Sequence, residues 1–546
     1  MPISVPSYVS TCDWSSRVII KTLTPVFLIF SLSASAVAFF YPLEIETRES
    51  TVWLHVLALK AHLNIYDYRE VAFINTHHGP FDSLFKFAVA SLLPFLESWQ
   101  VIRFAVFLLP YIFLVIAWKM VGEGSRTLLH SLYLGSIGYL FLVFTAKDWL
   151  FVGRNDATAA LLLVGLTYVS VCVSSKTWRG GMLHALACGS IATLVILTNW
   201  RLAPTTGAIL VLALWQYRTV SQATARQIGF YLGFYATVSL VLWVLIGLYA
   251  FEFDLARYWA HFFGFFTKAS GGGNRPYGHA SVIWFLGSLF KPTATSESLK
   301  GGPLLWALIV YLLIPRKGQA ANKLWLAVSG FIFALCALAY YLNYYGGGQW
   351  YFIPFVIILW FFFCINYSAM PTFRLAALGG VVTVLLIINF PTVIAPSLSR
   401  IFTMREAYDF MDGVRSLEKD NTILSEDAFL FRTTYHGELI DMGDQISRVR
   451  KKSYYGEHFN RTVDHHFARM QTTPPDYVVS GFAESPELRQ LIRDNYVSIA
   501  VGPNNLTGNG RGETRLYKRR DLTSDQATGA PPTERRGITD TSELSR

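Results

Sequence analysis

The sequence predicts an α-helical polytopic membrane protein with a small α/β soluble domain at its C-terminal end, and three observations carry that reading. Of the 546 residues, 53% are hydrophobic and only 15% charged, and the mean hydropathy is +0.37, too apolar for a single soluble domain. Apolar runs of about 20 residues, the length that crosses a bilayer, recur between residues 18 and 395. Beyond Arg400 those runs stop, charge rises, and short apolar segments alternate with helix-like ones.

The spans are expected at 18–41, 100–120, 127–146, 157–173, 182–198, 203–218, 227–250, 301–315, 323–342, 350–368 and 374–395, eleven in all. Arg17 and Lys21 precede the first, which places the N-terminus in the cytoplasm by the excess of basic residues on inner loops. The other inner loops then contain Lys119, Arg126, Lys176, Arg179, Arg218, Arg226, Arg316, Lys317, Lys323 and Arg374, and almost no acids. The net charge of +10 is therefore read as topological, and no nucleic-acid partner is expected. An odd number of spans puts the C-terminal domain outside, and that side depends on the short run 301–315, opened by Gly301-Gly302-Pro303. The first span is expected to stay as an anchor, since no small-residue cleavage site follows it. The five cysteines lie mostly inside apolar runs without a CxxC pair, so neither disulfides nor a structural metal is expected.

Residues 1–399 form the expected membrane domain, with outer loops 42–99, 147–156, 251–300 and 344–349. In the first loop Thr51–Ala61 and Phe81–Leu96 have helical apolar spacing and should lie along the interface, joined through Asn75–Pro80. The loop 251–300 has an aromatic segment, Tyr258–Phe266, and a flexible Gly271-Gly272-Gly273 able to cover a cleft. In the outer α/β domain, 400–519, strands are expected near Thr422–Leu424 and Tyr477–Ser480 and a helix near Ser485–Asp494. The tail 520–546, rich in Thr, Ser, Arg and Pro, is expected to be disordered.

Four constellations on the outer face carry candidate chemistry. Glu44, Glu46 and Glu49 follow the first span directly, near His55, His77 and His78; a hydroxyl attacking an activated carbon needs a carboxylate to take its proton, and these three compete for that role. Arg154 and Asp156, at the mouth of the fourth span after Lys147-Asp148, can pair with each other, bind parts of a charged substrate, or simply cap the helix. Arg103, Arg201, Lys268 and Arg275 suit a phosphate or pyrophosphate, although basic side chains at this depth also snorkel to lipid headgroups. Tyr344-Tyr345-Gly346-Gly347-Gly348-Gln349-Trp350-Tyr351 offers close backbone approach and aromatic stacking on sugars, or an ordinary aromatic belt. P-loop, HExxH and nucleophile-elbow motifs are missing, and His465-His466 with Asp464, or His436 with Glu438, read as soluble surface.

Taken together, a first span, an acidic outer loop ending in Ile65-Tyr66-Asp67 and His78-Gly79-Pro80, Arg103, Arg154-x-Asp156, a Gly-rich turn before Pro354 and a late soluble domain resemble the GT-C membrane glycosyltransferases. The likeness is to the branch of protein O-mannosyltransferases, lipid A aminoarabinose transferases and lipopolysaccharide sugar transferases, and it covers most of 17–510. The resemblance implies an enzyme, a multi-pass protein of a bacterial inner membrane with its C-terminal domain in the periplasm. It would move a sugar, with inversion, from a polyprenyl-phosphate donor among the membrane lipids to a lipid, glycan or protein acceptor. It makes Glu49 the first candidate base, Glu46 the second and Glu44 the third, with Arg48 standing where the family has Asp. Arg154 and Asp156 would bind or orient acceptor or donor phosphate; Lys268, Arg275 or Arg201 would stabilise the departing lipid phosphate. His78, Arg103, Gln349 and Tyr351 complete the expected substrate contacts. Some members use a divalent metal ion near such acids, the one cofactor the resemblance admits. On this reading Glu49→Gln abolishes transfer and leaves the fold intact. The competing class is a multi-span transporter or flippase of a lipid-linked or anionic substrate, against which stand the one-sided placement of the polar elements and the lack of inverted repeats.

Overall fold

Helix α1 (Tyr8–Phe40) enters a helical bundle in which it packs on α5 (Phe104–Val121), α6 (Ser125–Ala146) and α14 (Thr372–Asn389). In the computed structural model of this chain, residues 8–43, 45, 48–66, 79–121, 125–146, 150–172, 177–259, 320–342, 352–367, 370–417, 421–425, 468, 471–480, 486–503 and 514–524 are described. The remaining bundle helices are α7 (Asn155–Cys172), α8 (Trp178–Thr198), α9 (Ala203–Ser221), α10 (Ala225–Leu242), α12 (Ala320–Leu342) and α13 (Ile353–Ile365). A π-helical turn and a 3-10 turn continue α10 to Phe251, before the short α11 (Leu255–Trp259). Among the described residues, seven helices are long and apolar enough to cross a membrane: those of α1, α5, α6, α7, α8, α10 with its extension, and α14. Ten of the eleven expected spans coincide with described helices, and the eleventh, 301–315, lies outside the described residues. Apolar tails of lipid do not drive helices together, so close approach of small residues matters. Gly138 lies against the Trp360 ring and Gly379 against the Tyr133 hydroxyl, where any side chain would collide.

Two boundaries differ from expectation. The second span begins at Phe104 and not near 100, because α4 (Ser98–Ile102) is a separate turn of helix with Arg103 as its C-cap. The composition change at Arg400 falls inside a helix, α15 (Ala395–Leu417), which continues α14 through a π-helical turn at Phe390–Ile394. The two helices expected along the interface are present as α2 (Arg48–Lys60) and α3 (Pro80–Leu92), the second opened by Pro80 at its first position.

The C-terminal sheet has β1 (Ile423–Ser425), β2 (Tyr477–Ser480), β3 (Tyr496–Val501) and β4 (Arg515–Arg519) in the order β1-β2-β4-β3. β1 and β2 are parallel, while β4 is antiparallel to both β2 and β3. The expected strands and the helix, α16 (Pro486–Asn495), are where the alternation placed them; α17 (Asp521–Ser524) follows, and residues 525–546 lie outside the described residues. Ala407, Phe410, Met411 and Val414 of α15 are buried in the same core as Tyr477, Val479 and Leu516, and Phe410 lies against Gly502 just after β3, so the sheet adjoins the helix that leaves the bundle.

Candidate active site at one end of the bundle

Three carboxylates and three cations, all buried, meet where α1, α7, α8 and the extension of α10 end on one side: Glu49, Asp82, Asp156, Lys86, Arg103 and Arg154. These are the ends that the charge pattern assigns to the outer face. Gly79 N donates to Thr198 O at 3.3 Å, joining the segment between α1 and α5 to the end of α8. Asn64 donates to Glu252 at 2.8 Å, and the Tyr66 and Phe251 rings are 4.2 Å apart, joining the same segment to the end of α10.

Glu49 is wholly buried in the first turn of α2. Its Oε1 accepts from Arg103 Nε at 2.7 Å and from Gly153 N at 2.6 Å; its Oε2 accepts from Arg103 Nη2 at 2.7 Å and from Ile45 N at 2.7 Å. Arg103, equally buried, gives its other donors to Ala38 O at 2.9 Å, Tyr41 O at 2.5 Å and Leu43 O at 2.6 Å. All five guanidinium N–H groups are thereby used on protein acceptors. Its planar fork holds Glu49 in two parallel bonds and ties down one carbonyl in the last turn of α1, Ala38 O, and two just after it, Tyr41 O and Leu43 O. For Glu49 the same geometry occupies each carboxylate oxygen twice.

A second pair stands beside the first. Lys86 Nζ donates to Asp82 Oδ2 at 2.8 Å, one turn away on α3, and to Gly153 O at 2.5 Å, while Asp82 Oδ1 accepts from Thr158 at 2.7 Å. Burial pushes the Lys86 ammonium below its ordinary pKa, opposed first by Asp82 and then by Glu49 and Asp156. Gly153 is therefore gripped on both sides of one residue, its N–H by Glu49 and its C=O by Lys86. A Cβ there would collide with the Ile102 side chain and lie 2.8 Å from Ile102 O. Gly153→Ala is expected to lower stability by about 1–3 kcal/mol through overpacking, a loss to be read as an earlier thermal unfolding midpoint of the purified protein.

Directly after Gly153, Arg154 Nε and Asp156 Oδ2 are 3.9 Å apart, and Asp156 is in the first turn of α7, where the helix dipole favours an anion. His55 Nδ1 and Ser83 Oγ, the latter next to Asp82 on α3, are 2.8 Å apart. Arg201 is half-buried in the 3-10 turn Trp200–Leu202 that follows α8, its N–H on Asn199 Oδ1. Glu44, Glu46, His78, Lys268, Arg275, Gln349 and Tyr351 lie outside the described residues.

Asp82 and Lys86 were not among the expected site residues. The signal was present in Asp82-Ser83-Leu84-Phe85-Lys86, an acid and a lysine one helical turn apart on an otherwise apolar interfacial helix. Among the described residues no three His, Cys, Asp or Glu side chains converge as a metal ion would require. Glu49 and Asp82 face cations instead, so the described cluster does not fit a metal.

No family model and no curated protein matches the chain. Among solved structures, it is similar to ArnT from Cupriavidus metallidurans in the apo state, at 13% identity over 93% of this chain and 98% of that one, with a TM-score of 0.41. It is also similar to ArnT bound to undecaprenyl phosphate, at 12% identity over the same shares with a TM-score of 0.36. A third similar structure is the archaeal oligosaccharyltransferase AglB from Archaeoglobus fulgidus, in complex with an inhibitory peptide and a dolichol-phosphate. There the identity is 10% over 87% of this chain and 70% of that one, and the TM-score is 0.35. At these identities and scores, function is read from the site's own residues.

Proposed function

We propose that the protein is an inverting membrane glycosyltransferase that takes a sugar from a polyprenyl-phosphate donor and passes it to an acceptor on the outer side. The observation that carries the reading is the buried cluster of six ionisable side chains, three acidic and three basic, at one end of an apolar bundle. Ionisable groups at membrane depth are costly and mark sites of chemistry or transport. Here they gather at the ends of the spans, where a lipid phosphate resides, and not at mid-bundle.

The base moves within the expected trio. Glu49 has no open lone-pair direction, but Leu43 O and Ile45 N, on either side of Glu44 in the chain, are held by Arg103 and Glu49. With Glu49 so engaged, Glu46 is the first choice to accept the acceptor's proton and Glu44 the second, in the order the resemblance gives them. Asp156 and Arg154 orient the acceptor or the donor phosphate. Arg201, Lys268 and Arg275 offset the charge that develops on the departing lipid phosphate, and Gln349 and Tyr351 contact the sugar. The proton goes to the carboxylate, the new glycosidic bond forms as the sugar–phosphate bond breaks, and the lipid phosphate leaves with the electron pair.

Purified protein offered a panel of polyprenyl-phosphate sugars is expected to hydrolyse or transfer at least one of them. Glu46→Gln or Glu44→Gln is expected to slow that reaction by about 10²-fold or more, with thermal stability unchanged. Full rates in both variants would remove the base assignment. Vectorial movement of a lipid-linked substrate without turnover would replace the enzyme by a transporter.

A further inference from the structure

Helix α15 touches the strap of residues 38–49 at two points and α4 with its N-cap at a third, and its Phe410 lies against Gly502 beside the C-terminal sheet. Tyr408 OH donates to Phe40 O, the last residue of α1, at 3.0 Å. The Arg400 guanidinium lies 6.0 Å from the Tyr41 ring. Arg415 pairs with Glu97 at 3.4 Å and stacks over the Trp99 ring at 5.6 Å, and Trp99 in turn meets the Tyr408 ring edge to face.

Glu97 is not a passive partner. It is the N-cap of α4, with its side chain on the third helical N–H and its own N–H on Gln100 Oε1 at 3.0 Å, a reciprocal capping box. The C-cap at the other end of this single turn of helix is Arg103, whose N–H donates to Trp99 O at 3.0 Å. A five-residue helix has no length in which to absorb a displacement. Moving its N-cap therefore moves the residue that holds Glu49, Ala38, Tyr41 and Leu43. On the far face of α15, Phe410 meets Gly502 at the end of β3, and Gly502 N donates to Thr514 O at 2.7 Å. The path from the sheet to the strap is continuous through packed and hydrogen-bonded groups.

We propose that Arg415 and Tyr408 are positioning residues for the transfer reaction, coupling the seating of the C-terminal sheet on α15 to the strap of residues 38–49 through Glu97, α4 and Arg103. The inference rests on the transferase reading for its catalytic consequence, but the coupling itself is a structural claim with its own readout. The full-length protein in lipid nanodiscs is compared with Arg415→Glu, Glu97→Arg, the swapped pair and Tyr408→Phe by amide hydrogen exchange, alongside kcat and KM for transfer. The single reversals are expected to raise exchange across 38–45 and 98–103 by roughly two- to fivefold, the range of a partly exposed ion pair. They should lower kcat by a similar factor with donor KM unchanged, and the swapped pair should restore both. Tyr408→Phe, which removes one hydroxyl at the protein surface, serves where a reversal fails to fold and should raise exchange at 38–45.

Exchange that changes only within 405–417, leaving 38–45 and 98–103 as in the wild type, overturns the coupling. So does a swapped pair no better than the single variants. A wild-type protein inactive on every donor, with the exchange pattern as expected, counts against the transferase reading and sustains the coupling.

Discussion

Arg103→Met is expected to cost about 3–5 kcal/mol of folding stability, the loss that follows when one partner of a buried ion pair is removed. The cost has two parts. Glu49, with no exposure, would keep a full charge facing methionine, and its remaining partners, Ile45 N and Gly153 N, cannot neutralise it. In addition Ala38 O, Tyr41 O and Leu43 O would lose the N–H groups that now satisfy them. Arg103→Lys keeps the charge but has three donors in place of five and no planar fork, so it should recover only part of the loss. The double variant Glu49→Leu/Arg103→Met removes both charges and should be more stable than Arg103→Met, yet remain below the wild type because the carbonyls and the two N–H groups stay unpaired. Thermal unfolding of the four proteins in one detergent orders them. The same geometry changes the meaning of Glu49→Gln: an amide NH2 turned toward Arg103 replaces an accepting oxygen, so lost activity is expected together with lost stability. Inactivity of that variant alone does not identify the base.

Lys86→Met is expected to have a comparable effect, about 3–5 kcal/mol, because Asp82 would remain buried and charged with Thr158 as its remaining described hydrogen-bond partner. Gly153 O would also lose its donor, so Gly153 would be held from one side only. A pH profile separates the lysine from its neighbours. Burial sets the folded-state pKa of Lys86 below the ordinary 10.5. Between that lowered value and 10.5 the unfolded chain holds a proton that the folded chain has released, and stability rises with pH through that window. Lys86→Met removes the group and with it this rising contribution. Chemical unfolding of the wild type and the variant at a series of alkaline pH values should therefore diverge as pH increases, the wild type gaining on the variant. A constant difference across that range would assign Lys86 a purely packing role.

The expectations drawn from residue patterns succeeded where a local rule decides the outcome. Apolar runs of spanning length became helices because a backbone in lipid must satisfy its own hydrogen bonds, and that requirement is met within the segment itself. The short strands at 423–425 and 477–480 and the helices α2 and α3 between the first two spans followed from spacing alone. The paired sides of Arg154 and Asp156, two residues apart, are equally a local matter.

Partner choice was a different kind of question. Glu49 and Arg103 are 54 positions apart, and Glu49 and Gly153 are 104 apart. Spacing along the chain has no power over such pairs; the packing of α1, α5 and α7 brings them together, and desolvation then obliges each charge to find a partner. From composition an acid at the end of a span and an arginine at the start of the next read as two separate substrate contacts. Folding turned them into one internal pair, and it drew Asp82, Lys86 and Gly153 into the same network. The sequence by itself determined the class of the protein and the face on which its polar residues gather, since hydropathy and helix periodicity act over a few turns. Which of those residues face one another, and which therefore remain to meet a substrate, was decided only by the tertiary structure, because a buried charge is matched in space and not along the chain.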